Sequence, residues 1–252
     1  MLAGWMKNGL PASQVSVVDP SPPPTMAAML DEHGISSHPS ADDLGIADII
    51  LVAVKPQIMD AVLPTIKGLV GDKTLVTSVA AGRTIASMTE VLGECACIRV
   101  MSNTPSLIGK GMTACYANDL ASQKQRDETQ ILLEAIGSVA WVDSEAQIDA
   151  VTAVSGSGPA YVFHLAECMA QAGIDVGLPV DLAMTLAKET IFGAGALMRE
   201  SENPPSTLRE NVTSPNGTTA AALEVLMAEG GMQPLMQRAI AAANKRAQEL
   251  SG

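Results

Sequence analysis

Residues 48–56 read DIILVAVKP, a run that is apolar from Ile49 to Val54 and stops at a Lys-Pro turn. A run this short, without polar alternation, predicts a strand buried on both faces, the pattern of a parallel sheet covered by helices. Similar text recurs at 15–18 (VSVV), 75–79 (LVTSV) and 98–101 (IRVM), and 112–116 and 139–142 add two more strands. Between these runs, 22–32, 58–70, 84–92 and 122–136 have helical spacing. Such alternation predicts repeated βαβ units and an α/β fold built on a doubly wound parallel sheet. After Asp143 the period of two disappears. Pro159 opens a long helix, Gly173 closes it, Pro179 begins another and Pro204-Pro205 break the chain. The sequence is therefore expected to divide near residue 144, into an α/β domain (1–144) and an all-helical domain (145–252).

Composition narrows the function. A chain of 252 residues has room for one or two domains, and 47% hydrophobic with 17% charged residues describes a globular protein. With 27 acidic against 15 basic side chains the net charge is −12. That argues against a nucleic-acid partner, because binding phosphates needs clustered Lys and Arg. Apolar runs such as 47–54 and 191–198 fall short of the ~18 residues that span a bilayer, so no membrane association is expected. The opening residues lack a basic segment followed by an apolar core, which predicts a cytoplasmic protein. Cys95, Cys97, Cys115 and Cys168 show neither metal-site nor disulfide spacing and are expected to be buried thiols, with no metal bound.

In a doubly wound sheet a ligand sits beyond the carboxyl ends of the strands. Asp19 follows the first strand, where an acid either bonds the ribose hydroxyls of a dinucleotide or simply starts an Asp-Pro turn. Ala53, Val54, Lys55 and Pro56 turn the chain across the sheet edge, since Pro56 disfavours helix at Lys55. Ala80, Ala81 and Gly82 allow close backbone approach, and 101–105 (MSNTP) brings the Asn103 amide to the same rim. Four such ends in register predict a bound dinucleotide.

Two motifs in the helical half stand out. Residues 154–161 read VSGSGPAY, a Gly/Ser turn at whose helix start unpaired amides would gather. Residues 212–219 read VTSPNGTT and lead into AAALEVLMAE, so that Ser214, Thr218, Thr219 and bare amides meet at the positive end of a helix dipole. Such a tip suits a small carboxylate, although a helix start without a ligand accounts for the same residues.

In this order and spacing, AVKP, AAG, MSNTP, VSGSGPAY and VTSPNGTT resemble the pyrroline-5-carboxylate reductases, the last enzymes of proline biosynthesis. The resemblance implies a Rossmann-like sheet followed by a helical dimerisation domain. It implies hydride transfer from NADH or NADPH to 1-pyrroline-5-carboxylate, giving L-proline, in a homodimer or larger homo-oligomer. By resemblance AVKP and AAG contact the cofactor, Asn103 and Asn211 line the cofactor cleft, and Ser214, Gly217, Thr218 and Thr219 hold the substrate. Glu202 matches a loop acid at the family's substrate site. On this reading the amides of Gly217, Thr218 and Thr219 bind the substrate carboxylate, and the Thr219 hydroxyl bonds the ring nitrogen. His33, His38 and His164 are structural or solvated.

Three departures from the family accompany the match. The family opens with a strand and a GxGxMG loop, whereas this sequence starts MLAGWMKNGL, which reads as the following helix; the sheet is expected to lack its first strand. Ser102 stands where the family usually has Pro. Asn216 stands where it usually has Gly, a mild change if the position is left-handed. Two other readings remain: a β-hydroxyacid dehydrogenase using Lys188, and a catalytically silent dimer-forming homologue.

Overall fold

The structure, a computed structural model, describes residues 1–251. The elements of the α/β half are α1 (Leu2–Lys7), β1 (Ser16–Val18), α2 (Pro24–His33), β2 (Ser36–His38), β3 (Ile49–Val52), α3 (Met59–Ile66), β4 (Leu75–Ser78), α4 (Ile85–Leu92), β5 (Ala96–Met101), β6 (Gly111–Ala117), α5 (Gln123–Glu134) and β7 (Gly137–Trp141). The helical half follows with α6 (Gln147–Val151), α7 (Gly158–Asp175), α8 (Val180–Glu200), α9 (Pro205–Asn211), α10 (Thr218–Leu226) and α11 (Met232–Ser251).

The α/β arrangement is the expected one, with two corrections in its strands. β1 and β2 pair only with each other, in parallel, while β3-β4-β5-β6-β7 form a five-stranded sheet. β2, reading SSH, has no apolar residue to announce it. Within the larger sheet β6 runs antiparallel to β5, so the sheet is mixed rather than purely parallel. Chain length explains this. Only nine residues link Met101 to Gly111, and a parallel return needs a crossover of a dozen or more.

Alternate side chains of the sheet feed two separate cores. Val52, Val76 and Cys97 point to one face, where Met59, Leu63 and Ile66 of α3 and Ile85, Met88 and Leu92 of α4 cover them at helical spacing. Leu75, Ile98, Val100 and Cys115 point to the other face, against Leu133 and Ile136. Burying each such Leu or Ile contributes about 1.5–3 kcal/mol. The single helix expected over 58–70 is instead α3 flanked by two 3-10 turns, Pro56–Ile58 and Lys67–Leu69, and Pro64 inside α3 has no amide to donate. Residues 2–7 are helical as expected. Cys95, Cys97 and Cys115 are buried thiols, but Cys168 is exposed on α7.

The described residues cluster into two compact units, 1–156 with 244–251, and 157–243. In the second unit, α7 and α8 pack through Ala170, Ala183 and Ala187. Gly173 does not close α7, which continues to Asp175. A Cβ there would stand 3.2 Å from Leu178 Cδ1 and 3.4 Å from Ala183 Cβ, so the glycine serves close helix packing.

Candidate active site

β3, β4 and β5 are adjacent and parallel, with Val52 level with Ser78 and Ser78 level with Arg99. Their carboxyl-terminal loops therefore leave the sheet side by side. In the first loop Ala53 and Lys55 are exposed while Val54 and Pro56 are half-buried. Lys55 is extended (φ −63°, ψ 141°), as the following proline requires. In the second loop Ala80 is buried, and Ala81 and Gly82 are half-buried.

Arg83 ties these two loops together. Its Nε and Nη2 donate to the Pro56 carbonyl at 3.3 and 3.1 Å, and Nη2 also reaches Asp60 Oδ2 at 2.7 Å. Gly82 has φ +70°, and a Cβ on it would lie 2.6 Å from the Leu250 carbonyl oxygen. The close approach expected at this glycine is thus made by the end of α11.

In the third loop Asn103 accepts from the Met112 amide at 2.9 Å and donates to the Ser155 carbonyl at 3.0 Å. That fixes the loop to β6 and to the VSGSG segment, and one N–H of the Asn103 amide is left over. Ser102, in the proline position of the family, accepts from the Thr113 hydroxyl at 3.1 Å. Asp19 follows β1, and its Oδ1 accepts from the Ser21 amide at 2.9 Å, so it does build the Asx turn. Small side chains, exposed backbone and a spare amide N–H at three adjacent strand ends fit a flat dinucleotide.

Beside this rim lies a charged group that sequence reasoning missed. The Arg99 side chain is 3% exposed, and its Nη1 donates to Glu145 Oε1 at 3.0 Å; the same oxygen accepts from the Ile85 amide at 2.7 Å, at the start of α4. A signal was present: an arginine inside a run of buried apolar residues demands a partner.

The VSGSGPAY motif departs from expectation. Thr152–Gly156 form a π-turn that continues α6, so its amides do not gather at a bare helix start. Single π-turns of this kind often mark functional positions.

In the second unit the VTSPNGTT motif does form a helix tip. Asn216 (φ 59°) is the one non-glycine residue with positive φ among the described residues. The turn brings Ser214 over the start of α10, since a Cβ at Gly217 would lie 2.6 Å from Ser214 Oγ. Gly217 caps α10 without a side-chain bond, and its own amide is spent on the Ser214 carbonyl at 3.0 Å. It is therefore not among the free donors, contrary to the sequence expectation. Thr218, Thr219 and Ala220 amides find no acceptor among the described residues.

Thr219 is half-buried, while Thr218 and Ser214 are exposed. Asn211 is the exposed last residue of α9, and Glu202 is exposed in the loop between α8 and α9. His164 makes polar contacts within its own helix: Nδ1 is 3.0 Å from Glu167 Oε2 and Nε2 is 3.6 Å from Cys168 Sγ.

Residues 145–250 match the family described as pyrroline-5-carboxylate reductase dimerisation, and residues 1–82 match the NADP oxidoreductase, coenzyme F420-dependent family. The chain is 40% identical to the pyrroline-5-carboxylate reductase of Pseudomonas aeruginosa, over 100% of this chain and 92% of that protein. It resembles the solved pyrroline-5-carboxylate reductase of Coxiella burnetii with a TM-score of 0.92 at 33% identity, covering 100% of this chain and 93% of that one. A Plasmodium falciparum pyrroline carboxylate reductase solved with NADP bound gives a TM-score of 0.79 at 29% identity, covering 94% and 87%.

Proposed function

The chain belongs to the pyrroline-5-carboxylate reductase family, and from that premise we propose how its residues divide the work. The reaction is reduction of 1-pyrroline-5-carboxylate to L-proline with NAD(P)H, the final step of proline biosynthesis. When bound, the cofactor supplies the hydride; the protein's tasks are to orient the rings and neutralise a carboxylate.

In our reading residues 1–144 take the cofactor. The backbone of Ala53, Val54, Lys55 and Pro56 and of Ala80, Ala81 and Gly82 lies along it, Asp19 faces the ribose with its second carboxylate oxygen, and Asn103 offers its spare N–H. Asn211 is assigned to the cofactor by resemblance to the family alone.

Residues 145–252 take the substrate. The amides of Thr218 and Thr219 and the hydroxyl of Ser214 bind the carboxylate at the positive tip of α10. Thr219 Oγ1 hydrogen-bonds the ring nitrogen as that atom gains electron density, and Glu202 borders the pocket. The observation that carries this reading is the uncapped start of α10, with free amides under Ser214.

The helical unit leaves Phe163, Leu165, Met169 and Leu197 exposed in the single chain, at 63, 39, 37 and 55%. We assign them to the contact with a second copy, in a homodimer or larger homo-oligomer. A cytoplasmic location belongs to the same reading, and among the described residues no helix is long and apolar enough to cross a membrane. Lys188, the catalytic lysine of the dehydrogenase alternative, is exposed on α8.

Loss of NADPH absorbance with pyrroline-5-carboxylate, set against a panel of 3-hydroxy acids with NAD, tests the assignment. Turnover of the imine alone is expected, and turnover confined to the hydroxy acids overturns it.

A further inference from the structure

We infer that Arg83 is a positioning residue for the nicotinamide cofactor, acting by locking the 53–56 loop to the 80–82 loop. The inference rests on the proposal that these loops contact the cofactor. Three observations carry it. The guanidinium spans the gap between two neighbouring strand ends, taking the Pro56 carbonyl with both Nε and Nη2. Asp60, in the first turn of α3, holds Nη2 at 2.7 Å from the far side, so the fork cannot swing away without losing an ion pair. Val54 and Ala80 pack into the core and Leu250 closes on Gly82, but among the described residues Arg83 makes the side-chain hydrogen bonds that run from one loop to the other.

The Arg83 side chain is 23% exposed and Asp60 74%, so the pair adds little to global stability. What the clamp sets is where two stretches of backbone stand relative to each other. A dinucleotide lying on both stretches must order them where they are free to move, and that ordering is subtracted from its binding affinity. The planar fork matters as much as the charge. Lysine offers a single point donor, which reaches either Pro56 or Asp60 with less definition.

The test combines Arg83→Ala, Arg83→Lys and Asp60→Asn with Ala81→Leu, which obstructs the rim itself. In the ligand-free chain, Arg83→Ala should speed hydrogen exchange at the Ile58 amide, which donates to the Lys55 carbonyl at 3.1 Å within the clamped loop. NADPH fluorescence titration should give a Kd raised about tenfold, the size of a loop-ordering cost moved onto the binding step. The KM for pyrroline-5-carboxylate and kcat at saturating NADPH should stay within about twofold, a split that general destabilisation would not produce. Arg83→Lys should recover part of the affinity and Asp60→Asn should lose part of it. Should Arg83→Ala fail to fold, those two variants carry the test, Asp60 being exposed.

Wild-type NADPH affinity in Arg83→Ala, with Ala81→Leu impaired, overturns the clamp and leaves the cofactor rim standing. Wild-type affinity in both overturns the clamp together with the rim assignment.

Discussion

Glu145 Oε1 stands 3.0 Å from Arg99 Nη1 and 2.7 Å from the Ile85 amide, so one carboxylate oxygen anchors both the buried arginine of β5 and the first turn of α4. Among the described residues Arg99 Nη2 has no hydrogen-bond partner, and Glu145 is the carboxylate paired with a group that is 3% exposed. Because Ile85 follows directly on the 80–84 loop, this carboxylate also fixes one end of the proposed cofactor rim.

Removing that carboxylate should cost stability before it costs chemistry. Breaking a buried ion pair costs about 3–5 kcal/mol, and the 26% exposure of Glu145 puts Glu145→Ala near the lower end of that range. At roughly 2–4 °C per kcal/mol for a chain of this size, the melting temperature should fall by roughly 6–12 °C. Glu145→Gln keeps an acceptor for both donors and should lose less. Calorimetry in which both variants melt like wild type would show that the pair contributes nothing.

At the tip of α10 the two hydroxyl groups should separate kinetically. Thr219→Val removes a bond assigned to the reacting nitrogen and should lower kcat by roughly one to three orders of magnitude. Ser214→Ala removes a carboxylate contact present throughout the reaction and should mainly raise the KM for the imine. Steady-state assays decide. Activity of Thr219→Val within twofold of wild type would remove Thr219 from the mechanism, and an unchanged KM in Ser214→Ala would place the anion pocket elsewhere.

Alkali should weaken the fold through a buried thiol. Burial pushes Cys115 up from 9.0 to about 12. The unfolded chain therefore loses this proton first, so stability is unaffected below pH 9 and falls as pH rises from there towards 12. Denaturant unfolding of wild type between pH 8 and 11, against Cys115→Ala, measures the effect. The variant should show a shallower alkaline decline, and identical slopes would contradict the assignment.

How much of this was legible beforehand differs between the two halves. Residues 49–54 announce themselves because a strand covered on both faces favours an unbroken apolar run, and β3 lies there. Asn216 was readable too, since few non-glycine residues tolerate the φ of 59° that the turn before α10 requires. By contrast residues 154–161 spell a Gly/Ser turn, whereas Thr152–Gly156 wind on from α6 as a π-turn.

Local text thus determined the alternation of strands and helices, the order of the rim loops and the helix start at residue 218, all matters of short-range sterics and periodicity. Only the tertiary structure decided that β6 turns back against β5, that Leu250 occupies the space above Gly82, and that Arg83 and Glu145 bridge segments 27 and 60 residues apart. Such contacts depend on which backbone groups the completed fold leaves in need of a partner, and spacing along the chain carries no record of that.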